Sequence, residues 1–307
     1  YIGHMDTVFP DGTAEKRPFR IEGENYYGPG VGDMKNGDLA MFHIAANLPE
    51  TEKKCLNIAM VYNPDEEIGS IYSKEITDRI GCQADHIFVM ESAGKNGTRH
   101  CFARKGSLTY DIEFQGQAAH AGFMFEVENA SAVLEMGHYI VELMSLADRE
   151  KDTTVNVGIA NGGTARNVVA DHAKISVEMR FRDDSERIRL KEYVNKITEG
   201  QPFVPGVKTT ITMQKETPPF IKTEEAKKYI ERVRKIAEEH GIPFEEKDRG
   251  GLSDANHLSR CGKAIVMDGM GPHGANDHSE KEYGYIGSVE PCVKLHLAIL
   301  NDMLNKQ

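Results

Sequence analysis

The chain is poor in cysteine, with five in 307 residues at Cys55, Cys82, Cys101, Cys261 and Cys292. Their number is odd, their positions are scattered, and no Cys-x-x-Cys occurs, which excludes a disulfide framework. Reduced thiols in a cytoplasmic compartment are the expectation. Basic residues are also in short supply: 37 Lys and Arg stand against 48 Asp and Glu, leaving a net charge of −11. A phosphate backbone needs a basic footprint, so nucleic acid is excluded as a partner. No apolar run approaches the roughly 18–20 residues of a membrane span. An initiator methionine is absent as well. The chain starts Tyr1-Ile2-Gly3 and runs straight into a motif at His4, which leaves room upstream for a signal peptide or an N-terminal half-domain.

What is present describes a soluble globular protein of about two domains, 39% hydrophobic and 28% charged. Such a length buries a sizeable core without staples. In the first hundred residues, short apolar runs at Leu56–Tyr62 and His86–Met90 read as buried strands that end in acidic loops. A helix from Asp38 to Leu48 carries Leu39, Phe42 and Ala46 at helical spacing. Strand and helix in alternation predict a mostly parallel α/β sheet, with its chemistry at the carboxyl ends of the strands.

The middle of the chain has a different pattern. Leu108, Tyr110, Ile112 and Phe114 alternate with polar residues, as do Val155, Val157 and Ile159, then Ile175, Val177, Met179 and Phe181, and finally Val207, Thr209, Ile211 and Met213. Helices intervene, one at Asn129–Ala147 with Val133, Gly137, Ile140, Val141 and Met144 on one side. The second carries Leu190, Tyr193, Val194 and Ile197. The order β-α-β-β-α-β predicts a ferredoxin-like domain over residues 105–215, inserted into an α/β domain made of 1–104 and 216–307. After Pro218-Pro219 a helix runs to His240 and stops at Gly241, and a last helix carries Val293, Leu297, Leu300 and Leu304.

Five segments carry the chemistry: Gly3-His4-Met5-Asp6-Thr7, Gly32-Asp33-Met34-Lys35, Asp65-Glu66-Glu67, Met90-Glu91-Ser92 and Asn276-Asp277-His278-Ser279. Each alone reads equally as surface charge. Together they bring His, Asp and Glu to successive strand ends, and such a mixed donor set suits zinc or a similar divalent ion. Asp33, Glu66, Glu67 and Glu91 in one cleft would repel one another strongly without cations, and two divalent ions balance four carboxylates. Asp33 could bridge both ions, with His4 and Glu91 completing one and Glu67 and His278 the other. Glu66 is then unligated and free to take a proton from water. Asp6, two residues along one strand face from His4, can hold the other imidazole nitrogen.

The segments GHMDTVFPDGTAEKRPF, YGPGVGDMKNG, NPDEEIGS, VMES, QAAHAG and NDHSEKEY together resemble the di-zinc exopeptidase and aminoacylase family, and within it the glutamate carboxypeptidases most. The resemblance runs in order from residue 1 to the end. It implies two Zn²⁺ per subunit, Asp33 as bridge, His4, Glu67, Glu91 and His278 as ligands, Glu66 as general base and Asp6 behind His4. It also implies a cis peptide after Asp33 and a homodimer formed through the inserted lid domain. His120, in Ala118-Ala119-His120-Ala121-Gly122, would reach the partner's site and hold the oxyanion. Asn167 and Arg180 match residues that contact the substrate, with the Arg180 guanidinium suited to a carboxylate. The Gly250–Asp254 turn either lets the substrate approach closely at Gly251 or is a plain turn. Two departures stand out: the strands and helices that precede the His-x-Asp strand in the family are missing, and Met34 stands where the glutamate carboxypeptidases carry Asp. His273 is a rival to His278 that fits the family pattern less well.

The expected activity is hydrolysis of a C–N amide bond in a small peptide or N-acyl amino acid by a zinc exopeptidase of carboxypeptidase type. A deacylase or dipeptidase of the same family is the alternative, and from another class, an inactive metal-binding assembly protein.

Overall fold

The computed structural model describes residues 1–305, which divide into two compact units. The first comprises Tyr1–Arg104 and the stretch from Phe220 onward, and the second is Lys105–Pro219.

Four parallel strands organise the first unit. Ile2–His4 pairs with Val61–Asn63, and Ile2 also bridges to Val89 just past the strand His86–Phe88. That strand pairs in turn with Ile265–Met267. Both faces are covered. Phe88 and Met90 pack with the helices Asn36–Asn47, Glu224–Glu239 and Val289–Leu304, while Ile87 and Val89 pack with Ala255, Leu258 and Val266. Alternate strand residues point to opposite faces, so burial on both sides requires the unbroken apolar run seen at 87–90. Among the described residues no helix is long and apolar enough to cross a membrane.

Two expectations fail here. The strand expected at Leu56–Tyr62 is Val61–Asn63, which pairs with Ile2–His4, and residues 56–60 are not in a ladder. The helix Asn36–Asn47 buries Gly37, Ala40, Met41 and Ile44 and leaves Leu39 and Phe42 exposed. Gly37 sets that rotation. A Cβ there would lie 2.0 Å from the Met90 carbonyl oxygen, so the helix backbone rests directly on the strand.

The second unit is a four-stranded antiparallel sheet in the order 154–162, 172–181, 106–115, 208–217, with helices Ala132–Met144 and Asp184–Glu199. Leu108, Tyr110, Ile112 and Phe114 and the alternate residues 173–181 form its core with Leu143, Leu190 and Val194. The buried stripe of the first helix is Ala132, Glu135, Tyr139 and Leu143, not the side carrying Val133, Val141 and Met144, which are exposed. Glu135 is the cause. Its carboxylate accepts the backbone N–H groups of Phe203 and Val204 at 3.2 and 2.7 Å, a pairing that makes a fully buried acidic residue tolerable.

Candidate active site

The carboxyl ends of the parallel strands bring the acidic segments together. His4 closes the first strand, Asn63 leads into the loop carrying Glu66 and Glu67, and Glu91 follows the strand at 86–88. A groove of about 640 Å³ between Tyr1, Leu56–Ala59 and His86–Phe88 lies at the amino ends of the same strands and includes none of these acidic residues.

Asp33 is central. Its Oδ1 lies 3.2 Å from His4 Nε2 and its Oδ2 3.0 Å from His278 Nε2. Around the first imidazole, Glu91 Oε1 stands 3.7 Å from His4 Nε2, and around the second, Glu67 Oε2 stands 3.3 Å from His278 Nε2. The other nitrogen of His4 faces Asp6, 3.2 Å from its carbonyl and 3.4 Å from its carboxylate. That carboxylate also accepts the N–H groups of Glu66 and Glu67 at 3.2 and 2.9 Å. Asp6 therefore orients an imidazole and the acidic loop at once. Donor atoms from His4, Glu66 and Glu91 converge within 4.8 Å of one another, and so do those from His4, Asp33 and Glu67.

The turn that presents Asp33 is held by Glu282, a residue of the NDHSEKEY segment to which the sequence pattern assigns no role. Its buried carboxylate accepts N–H groups from Gly30, Gly32 and Asp33 at 2.9, 2.8 and 3.0 Å. Gly32 is tightly confined, since a Cβ there would sit 3.0 Å from the Tyr283 carbonyl oxygen and press on backbone. The Asp33–Met34 peptide is cis.

The remaining residues singled out from the sequence have the following local partners. His273 is buried, bonds the Ala93 carbonyl and stands outside the cluster. The Gly251 carbonyl accepts from Arg104, a buried side chain that also pairs with Asp268. His120, Asn167 and Arg180 belong to the second unit. His120 pairs with Val168 across a short ladder and caps the following turn by accepting from the Gly122 N–H, and the Asn167 carbonyl accepts from Ala121 beside it. Arg180 lies on the strand His172–Phe181, with its guanidinium 2.7 Å from Glu178.

The electrostatics of the cluster are those of a cation site. Burial, then the Asp254 and Glu67 charges, push the Glu66 carboxyl up to about 8 against the pull of His4. Burial and the Asp33 charge raise Glu67 and Glu91 too. Burial disfavours the His4 cation, but its bonds to Asp33 and Asp6 and the charges of Glu91 and Glu66 outweigh this and hold it up at about 12. Burial likewise opposes the Asp33 charge, and the two imidazoles overcome it. Donor geometry agrees. In a tetrahedral zinc site with bonds of about 2.0–2.2 Å, donors lie about 3.3–3.6 Å apart. The four contacts around Asp33, His4 and His278 run from 3.0 to 3.7 Å. The donor set present fits divalent-cation binding.

A pH dependence follows for the metal-free chain. Glu66, Glu67, Glu91 and His4 bind protons more tightly folded than unfolded, so the folded state carries the excess of protons and loses stability as pH rises. For Glu66 the window runs from its ordinary 4.5 to about 8, and for His4 from 6.5 to about 12. The melting temperature of the metal-free protein is expected to fall between about pH 5 and about pH 8, and to fall less with saturating divalent ions. A metal-free melt that is flat or rises across that window contradicts the clustering.

Comparison with known proteins agrees with this geometry. The family described as peptidase family M20/M25/M40 matches residues 1–302. Carboxypeptidase G2 of Pseudomonas sp. (strain RS-16) is 26% identical over 306 residues, covering 98% of this chain and 73% of its own length. Succinyl-diaminopimelate desuccinylase of Halorhodospira halophila is 24% identical, covering 99% of this chain and 82% of its own. Among solved structures, a tripeptidase of Staphylococcus aureus shares the fold with a TM-score of 0.80 at 20% identity, over 100% of this chain and 80% of that one. The chain belongs to the M20/M25/M40 peptidase family and is a hydrolase of that family.

Proposed function

We propose that this protein is a two-zinc exopeptidase of carboxypeptidase type, cleaving the C–N amide bond of a small peptide or N-acyl amino acid. The observation that carries this reading is Asp33, one carboxylate facing two imidazoles, with Glu66 beside it on a loop fixed by Asp6. His4 and Glu91 would hold one ion, Glu67 and His278 the other, and Asp33 both. The choice of zinc rests on the mixed imidazole and carboxylate donors. When bound, such a pair polarises the scissile carbonyl and acidifies water.

The chain's own residues do the rest. Glu66 takes the proton of the attacking water and delivers it to the leaving nitrogen, from a backbone position that the Asp6 carboxylate fixes. Asp6 keeps the His4 ring in place and anchors the Glu66–Glu67 backbone. The second unit serves as a ferredoxin-like lid and dimerisation domain, in which His120 stabilises the oxyanion, Arg180 pairs with a substrate carboxylate, and Asn167 contacts the substrate. Gly251 would line the site where the substrate backbone passes. A deacylase reading of the same centre is favoured by the desuccinylase relative. The proposed location is cytoplasmic, on the strength of five free thiols.

A homodimer is supported by what the lid leaves uncovered. The strand Thr154–Gly162 is a sheet edge, and Ile159 on it is exposed, as are Leu134, Val141 and Met144 on the helix it packs with. An apolar face beside an open edge suits an isologous contact with a second copy.

Two experiments test these roles. Glu66→Gln should lower kcat by about a thousandfold or more while two ions per chain remain bound. Loss of an ion in that variant would make Glu66 a ligand. For the dimer, His120→Ala and Glu66→Gln chains are mixed. If His120 acts in the partner's site, each heterodimer has one intact site and one doubly defective site, so about half the wild-type activity should return. Verified heterodimers as inactive as either parent would show that His120 does not act across the interface.

A further inference from the structure

Behind the acidic loop lies a second buried polar network. Asp254, 4% exposed, opens the short helix Asp254–Leu258, whose start is fixed by reciprocal bonds between Ser253 and Asn256. Asp254 Oδ1 accepts the Ser70 hydroxyl at 2.5 Å, and Oδ2 accepts the Asn63 amide at 2.8 Å. Asn63 and Ser70 are the two ends of the loop that carries Glu66 and Glu67, and they bond each other at 3.0 Å. The Asn63 amide oxygen also accepts the Asp65 N–H. Ser70 sits in the left-handed region with φ of 55°, a conformation that costs a non-glycine residue energy and needs local bonds to hold it. On the far side, His257 Nε2 lies 3.0 Å from Asp254, and its Nδ1 lies 2.6 Å from Asp78 on the helix that follows the loop.

We propose that Asp254 is a positioning residue for the base-bearing loop, stapling Asn63 to Ser70, with His257 and Asp78 fixing its orientation. Asp6 grips the loop at its middle through the Glu66 and Glu67 N–H groups, and Asp254 grips both ends. With either grip gone, the loop gains freedom where Glu66 must stay in reach of a water and a leaving nitrogen. Small displacements of a reacting group lower the chemical step more than they lower substrate binding. The catalytic consequence rests on the reading of Glu66 as base, whereas the stapling rests on the hydrogen bonds alone.

The test uses Asp254→Asn, which keeps the shape but sets an amide donor against the Asn63 amide, together with Ser70→Ala, which leaves Asp254 in place. Hydrogen exchange of the 65–70 amides in the metal-free protein should quicken about tenfold or more in Asp254→Asn, with the helix Glu224–Glu239 unchanged. With zinc saturating, kcat should fall about tenfold or more while KM stays within about threefold. Ser70→Ala should move both readouts the same way by a smaller factor, and it carries the test alone if Asp254→Asn does not fold. Exchange and kcat within about twofold of wild type in both variants would overturn the proposal. So would faster exchange across the whole unit, with a kcat loss matched by a remote core variant of equal melting temperature. If Glu66→Gln retains activity, the base assignment fails separately, and the exchange measurement still decides the stapling.

Discussion

The constraint on which the rest of the structure depends is the crowding of carboxylates around Asp33. Asp33, Glu66, Glu67 and Glu91 share one cleft, with Glu91 buried and Asp33 pressed between two imidazoles. Burial and mutual repulsion act against the charges of Glu66, Glu67 and Glu91, while the two imidazoles outweigh the burial of Asp33. Folding tolerates the arrangement because neighbouring backbone and side chains fix each carboxylate in place. Glu282 holds the Asp33 turn through three N–H groups, Asp6 holds the Glu66–Glu67 backbone, and Asp254 bonds both ends of their loop. A cluster so braced and so poorly neutralised is built for cations.

The fold supplies the convergence. Parallel strands end side by side, and residues just past their carboxyl ends meet without any one of them leaving its own element. His4 and Glu91 are reached this way, and the 63–70 loop extends the same edge. Apolar layers on both faces cover the strand at 86–88, which is why residues 87–90 form an unbroken apolar run rather than an alternating one.

Much of this was legible in the residues themselves. His-x-Asp, Asp-Glu-Glu and the late His278 are short patterns whose chemistry is read from residue type and strand-end position. The alternating strands 106–115 and 172–181 were equally plain, each with a dry face toward the core, whereas 154–162 and 208–217 bury little and leave Ile159 and Met213 exposed. What periodicity misread were the faces of two helices. At Asn36–Asn47 a backbone contact at Gly37 outranks Leu39 and Phe42, and at Ala132–Met144 a buried Glu135 displaces Val141. A glycine that touches a carbonyl and a glutamate that satisfies two distant N–H groups have no hydrophobic signature. Glu282 and Asp254 escaped for a related reason. Each is one acidic residue among 48, and its partners are backbone groups or small polar side chains far away in sequence. The need of a Gly-rich turn for an acceptor of its N–H groups is the signal that could have pointed to Glu282.

The most direct test of the account is a calorimetric titration of the metal-free protein with zinc, repeated on Asp33→Asn. Two ions per chain are expected in the wild type, with a clear rise in melting temperature, and weakened binding of both ions when the shared carboxylate loses its charge. Binding of fewer than two ions, or loss of one ion only in Asp33→Asn, would contradict a centre built around one bridging carboxylate.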